Sequence, residues 1–135
     1  MTLTPATRDR LVTDFLDAWN SQEVERVLDC YTDNLRYRDP NTRGEVAGRD
    51  ALRRYLTRLF ADWRMTWTKR EVFDLADCDG VALLWRATFR RANDEDTVVE
   101  IDGMDLVVLD GDRVARNEVH FDRTALAPLT TAAAR

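Results

Sequence analysis

DALRRYLTRLFADWRMTWTKREVFDL, residues 50–75, contains a single change of period, and that change decides the fold. Up to Trp63 the apolar side chains Leu52, Tyr55, Leu56, Leu59, Phe60 and Trp63 recur at spacings of three and four, which places them along one side of an α-helix starting near Asp50. Beyond Trp63 the period becomes two. It stays two through segments near 65–75, 80–91, 97–109 and 113–122, which are read as strands. Asp79-Gly80 and Asp110-Gly111 supply hairpin turns, and the polar run Ala92 to Asp96 supplies the remaining one.

Upstream of this stretch the chain is helical. Thr4 followed by Pro5 reads as an N-cap with proline in the first helical position, opening a helix to about Asn20 whose stripe is Leu11, Val12, Phe15, Leu16 and Trp19. Ser21 can cap a second helix that carries Glu23 and Glu25 in its first turn and buries Val24, Val27, Leu28 and Tyr31. A strand ending at Asp39 follows, and then the polar, glycine-bearing loop PNTRGEVAGRD. Three N-terminal helices ahead of a long antiparallel sheet predict an α+β domain, with the helices on one sheet face and a cavity between the layers. The whole chain, 1–135, is expected to be one domain with its core in about 6–126 and a frayed tail over 127–135.

Composition excludes several classes. The net charge is -5, and 20 basic residues are dispersed among 25 acidic ones, which argues against a nucleic-acid groove or a basic membrane patch. No apolar run approaches the roughly 18 residues of a spanning helix, and the amino terminus lacks the apolar stretch of a signal peptide, so a cytoplasmic location is expected. Cys30 and Cys78 are far apart, and His120 is the sole histidine, so no metal is expected. Glycine-rich nucleotide motifs and GxSxG are absent, and no cofactor is expected.

The acidic residues hold the chemical interest. Asp39 falls on the parity of Leu35 and Tyr37, where a carboxylate must be paired, hydrogen-bonded or protonated. It is either a catalytic acid/base or the opener of an Asp-Pro turn. On the 97–109 strand, Val98, Glu100, Asp102, Met104, Leu106 and Val108 share one face, and Val99, Ile101, Gly103, Asp105, Val107 and Leu109 the other. Both faces are apolar enough to be covered, one by the helices and one by a second copy of the chain in a homodimer. Alternation alone does not choose between Asp102 and Asp105 as the inward acid. On the last strand Glu118, His120 and Asp122 share a face that is either solvent or the polar wall of a pocket. Four tryptophans in so short a chain suit a cavity lined by flat side chains. The candidate walls are Phe15, Trp19, Tyr37, Tyr55, Leu59, Trp63, Trp85, Met104 and Leu106.

The order of features, a helix ending in AWN, then CYTDNLRY, then RDPNTRGEVAGRDALRRYL, then a strand ending in VHFD, resembles the SnoaL-like polyketide cyclases and ketosteroid isomerases. That resemblance spans about residues 8–126 and implies the cone-shaped fold of the nuclear transport factor, with a strongly curved mixed sheet. It implies that Asp39 is the general base of the isomerases and that the EIDGMDL segment places the neutral, oxyanion-binding acid on Asp102. The isomerases' helix-one tyrosine falls on Phe15, which lacks the hydroxyl. In the cyclases, the acid/base aspartate of the last strand matches Asp122. Limonene epoxide hydrolases use an Asp-Arg-Asp set, and Glu100 stands here where the arginine would be.

The expected function is therefore cofactor-independent acid/base catalysis on a small hydrophobic carbonyl compound. Asp39 or Asp122 moves the proton, and Asp102 or His120 stabilises the enolate oxygen. A non-catalytic protein that binds a small apolar ligand, or a dimeric interaction module, is the alternative, with an epoxide hydrolase ranked below it.

Overall fold

The structure, a computed structural model, describes residues 3–133, with side chains through residue 130. Helix α1 spans Pro5–Ser21, and Thr4 caps it by accepting the Thr7 N–H at 3.1 Å. The helix ends where Gln22 turns left-handed at φ 52°. From there the Gln22 side chain donates to the Trp63 carbonyl and accepts the Met65 N–H, tying the end of α1 to the first long strand. Helix α2 is shorter than its sequence suggests, Val24–Leu28, because Tyr31 is not its last buried residue but the first residue of strand β1, Tyr31–Arg38. A two-residue strand β2, Val46–Ala47, lies inside the glycine-bearing loop and pairs with β1. Helix α3, Arg49–Asp62, passes directly into β3, Trp63–Asp74, at the change of period.

Strands β4 (Gly80–Arg91), β5 (Asp94–Asp110) and β6 (Arg113–His120) complete a six-stranded sheet ordered β2-β1-β6-β5-β4-β3. Only the β1–β6 pair is parallel, so the sheet is mixed, as the family resemblance implies. It is curved and unclosed, and the fold is the expected α+β one. Gly111, at φ 64°, makes the tight β5–β6 turn, whereas the β3–β4 link is a longer loop with Gly80 already in the strand. Gly80 has another reason to be small. A Cβ there would stand 2.3 Å from the Val107 carbonyl oxygen.

The inner face of the sheet meets α1 and α3. Val12, Phe15, Leu16 and Trp19 from α1 and Leu52, Leu56 and Phe60 from α3 pack on Leu83, Trp85, Ala87 and Phe89 of β4. On β5 the inner set is Ile101, Asp105 and Val107, all buried, so the set holding Asp102 faces outward. Of the two sets that alternation left open, the one holding Val99, Ile101, Val107 and Leu109 is the inner one, and its opposite-parity neighbours form the outer face. That face carries Val98, Met104, Leu106 and Val108. A bulge between Val108 and Leu109 brings Val114 inward against Leu109, while Arg116, Glu118 and His120 stay with the outer set.

Of the tail expected to fray, residues 127–133 are described and helical, and residues 134–135 lie outside the described residues. Arg123–Leu126 form a 3-10 turn and Ala127–Ala133 a fourth helix, α4, held by Leu126 and Leu129 at 3% and 1% exposure. Two leucines three apart give this segment one apolar contact per turn, enough to dock it on the sheet. None of the described helices is long and apolar enough to cross a membrane.

Candidate active site

Asp39 follows β1 directly, two residues past the inward-facing Tyr37, and its carboxylate both makes the Asp-Pro turn and lines the space between helices and sheet. One carboxylate oxygen, Oδ1, accepts the backbone N–H groups of Asn41 (2.7 Å) and Thr42 (3.1 Å), which is the Asp-Pro turn. The other, Oδ2, accepts the hydroxyls of Tyr37 (2.6 Å) and Tyr55 (2.5 Å). The turn fixes where the carboxylate points, and the tyrosines receive it there. Burial and the neighbouring Asp39 charge push both phenols above the ordinary tyrosine range, so they remain donors.

The second acid is Asp105, in the middle of β5. It is buried, with Oδ1 accepting Trp85 Nε1–H at 2.8 Å and Oδ2 accepting Asn117 Nδ2–H at 3.2 Å. Asn117 is itself oriented, because its Oδ1 accepts the Tyr31 hydroxyl at 2.8 Å, and that hydroxyl accepts Trp19 Nε1–H at 3.3 Å. Desolvation pushes the Asp105 carboxyl up to about 6 against the pull of these two donors, and the charge of Asp39 adds to the rise. Gly103 makes this placement sterically accessible. It pairs across the sheet with Trp85, and a Cβ on it would come within 2.4 Å of the Trp85 ring, so the bare backbone lets the indole lie against β5 and reach Asp105.

Asp39 and Asp105 line one hollow between the helices and the sheet. Phe15, Leu16, Trp19, Tyr37, Leu59, Trp63, Met65, Trp67, Trp85, Phe89, Val119, Phe121 and Leu126 form its apolar walls, with Asn41 at the turn. About 600 Å³ of non-atom space belongs to it, mouth included. The rings brace one another: Trp19 stacks on Tyr37 with centroids 5.9 Å apart and meets Trp67 edge-on at 5.7 Å. At the mouth Trp63 is covered by the Arg91 guanidinium, 4.6 Å from the ring centre.

Several expected site residues lie elsewhere. Asp102 is exposed on the outer face and paired with Arg86 at 2.8 Å, which holds its carboxyl below the usual carboxylate range, so the acid in the hollow is Asp105, three residues on. Met104 and Leu106 share the parity of Asp102 and do not line the hollow. His120 is exposed beside Met104 on that same outer face. Asp122 is also exposed and caps the 3-10 turn through the Thr124 hydroxyl (2.6 Å) and amide (3.0 Å), bonds that hold its carboxyl low. Of the expected walls, Phe15, Trp19, Tyr37, Leu59, Trp63 and Trp85 reach the hollow, while Tyr55 meets it through Asp39. Asn117 was not anticipated. An asparagine amid Val119 and Phe121 on one strand face was its available signal.

No group of histidine, cysteine or acidic residues among the described residues could hold a metal ion. The hollow offers carboxylates, phenols and indoles. Such a set can take a proton from an apolar ligand at one carboxylate and give one at the other.

Among curated proteins, none matches the chain. Structural similarity is extensive at low identity. An NTF2-like protein of unknown function from Burkholderia pseudomallei covers 93% of this chain and 98% of its own at 15% identity, with a TM-score of 0.79. A protein with a ketosteroid isomerase-like fold from Catenulispora acidiphila, in complex with trimethylamine, covers 90% and 92% at 13% identity, TM-score 0.77. The epoxide hydrolase/cyclase-like enzyme SalBIII, described with pyran ring formation in salinomycin, covers 92% and 97% at 21% identity, TM-score 0.78. In sequence, the family described as SnoaL-like domain matches residues 12–117. The chain belongs to the SnoaL-like domain family.

Proposed function

We propose that this protein is a cofactor-independent acid/base enzyme acting on a small hydrophobic carbonyl compound, with Asp39 and Asp105 as its two proton-handling groups. The observation that carries this reading is the pair itself: two carboxylates in one aromatic hollow, in environments of opposite character. Asp39 lies in a donor-rich turn, and Asp105 in a dry wall that raises its acidity constant to about 6. A donor-rich turn around one carboxylate and a dry wall around the other suit the first to act as base and the second as acid. Asp39 removes the proton next to the substrate carbonyl, while Asp105, protonated, donates to the carbonyl oxygen as negative charge develops there. The resulting enol either regains a proton at another carbon, which is isomerisation, or attacks a second carbonyl within the same molecule, which is aldol closure. The proton on Asp39 then returns to carbon or to the new alkoxide, and Asp105 recovers its own proton from the enol oxygen as that carbonyl re-forms.

Among the described residues no arginine lines the hollow between the two acids, so the proton-transfer reading is preferred to an Asp-Arg-Asp epoxide hydrolase. The narrowness of the hollow favours one rival, a carrier of a small apolar ligand without turnover.

Hydrogen exchange at carbon separates the readings without knowledge of the natural substrate. The protein is incubated in heavy water with β-tetralone, and proton NMR follows loss of the signal next to the carbonyl. Accelerated exchange in the native protein that falls at least about a hundredfold in Asp39→Asn and in Asp105→Asn is the expected result. No acceleration by the native protein, or equal acceleration by both variants, would remove the two carboxylates as proton carriers.

A further inference from the structure

We infer that the substrate of this hollow carries a carboxylate at the end remote from its reacting carbonyl, and that Arg58 and Arg123 receive it at the mouth. The inference rests on the hollow being the substrate site and adds to it the class of molecule bound there.

The hollow adjoins a second space. Asn41, Leu59, Trp63 and Leu126 line both the hollow and a broader groove of about 1350 Å³ of non-atom space, so a ligand too long for the interior extends into that groove. Arg58 of α3 and Arg123, the first residue of the 3-10 turn, stand on its walls. Neither guanidinium has an ion-pair or hydrogen-bond partner among the described residues. Asp62 lies one helical turn beyond Arg58 on the same groove without pairing with it, and Asp122, next to Arg123, is occupied by Thr124.

Several arginines elsewhere on the surface are matched, so the groove is distinguished by holding two unmatched ones beside the hollow rather than by their being unmatched. Arg53 pairs with Glu25 and Asp50, Arg36 with Glu45, Arg86 with Asp102 and Arg116 with Glu118. In a chain of net charge -5, two unmatched cations beside one opening set the local sign against the global one. Two arginines and the single Asp62 leave one positive charge on the groove, which suits a monoanion.

The interior supplies the complementary half. The Asp39 carboxylate would repel an anion, and the aromatic walls would leave it unsolvated, so a ligand with one charged end enters with that end outward. The planar guanidinium forks fit a carboxylate in particular. Charge at the mouth would thus set the direction in which the substrate enters and present its carbonyl end to the two acids.

Benzoylpropionate and its methyl ester test this directly, since they share the aryl ketone and differ in the charge of the far end. Binding is read by quenching of Trp19, Trp63, Trp67 and Trp85, all of which line the hollow. The acid is expected to bind about tenfold tighter than the ester at low salt, with the preference shrinking as ionic strength rises. Arg58→Gln combined with Arg123→Gln should bring the acid down to the affinity of the ester. Arg54→Gln, an exposed cation away from the groove, should keep the preference. Equal affinities in the native protein, a preference that survives the double substitution, or binding of neither compound at millimolar concentration would overturn the inference. Because the readout is binding, a protein that prefers the acid yet fails to exchange hydrogen loses the catalytic reading alone. One that exchanges hydrogen without preferring the acid loses only this inference.

Discussion

Replacing Asp105 with asparagine should stabilise the protein above about pH 6 while removing its proton-handling group. The folded-state acidity constant of Asp105 is raised to about 6 from 3.8, so the folded chain binds this proton more tightly than the unfolded chain does. Stability from this group is present in full below the unfolded value and is lost as pH rises towards about 6. At roughly 1.4 kcal/mol per pH unit, the interval from 3.8 to about 6 amounts to about 3 kcal/mol. Asparagine keeps the acceptor for Trp85 and turns its amide towards Asn117, whose own amide must reverse against Tyr31, at a cost of about 1 kcal/mol. The net expectation is a variant more stable by about 2 kcal/mol near pH 7.5 and slightly less stable near pH 4. Urea denaturation across that range, followed by tryptophan fluorescence, measures it. A variant no more stable than the native protein near neutrality, with an unchanged slope between about pH 4 and 6, would refute the assignment of a buried, costly carboxylate.

Further expectations concern the surroundings of the site. Gly103→Ala places a methyl group within 2.4 Å of the Trp85 ring and 2.8 Å of the His120 carbonyl, so it should cost about 1–3 kcal/mol and shift the emission of Trp85. Native-like stability and spectrum would show that the indole does not depend on the bare backbone. Leu129→Ala should cost about 2 kcal/mol because Leu129 is fully packed, whereas a frayed tail would show no loss. The outer sheet face, with Val98 at 45% exposure and Phe73 at 53%, remains the proposed homodimer surface. Sedimentation should show a species heavier than the 15.6 kDa chain that Leu106→Glu converts to monomer, and a native monomer would dismiss the proposal.

Much of the layout was legible because it rests on local periodicity. The switch at Trp63 separated α3 from β3 to within a residue, and the Thr4-Pro5 cap placed the start of α1. Asp39 was legible for the same reason, since its inward parity follows from Leu35 and Tyr37. Asp102 and Asp105 were not separable, because both faces of β5 are apolar and neither shows alternation of polarity. Here the decision comes from non-local packing: Gly103 opposite Trp85, and Asn117 two strand positions from apolar neighbours. The family resemblance pointed to the EIDGMDL strand and to Asp102, which faces outward, whereas Asp105 of the same strand lines the hollow. Asp122 misled for a different reason. Its place after the last strand matched an acid/base position, yet Thr124 two residues later makes it a cap.

The central claim is that burial in the dry hollow, with the charge of Asp39 beside it, lifts the titration of Asp105 to about 6. Carbon-13 NMR of the aspartate carboxyls across pH, in the native protein and in Asp39→Asn, tests it most directly. The account predicts a midpoint for Asp105 near 6 that falls when Asp39 loses its charge. An Asp105 midpoint in the ordinary carboxylate range, indifferent to the charge at position 39, would contradict it.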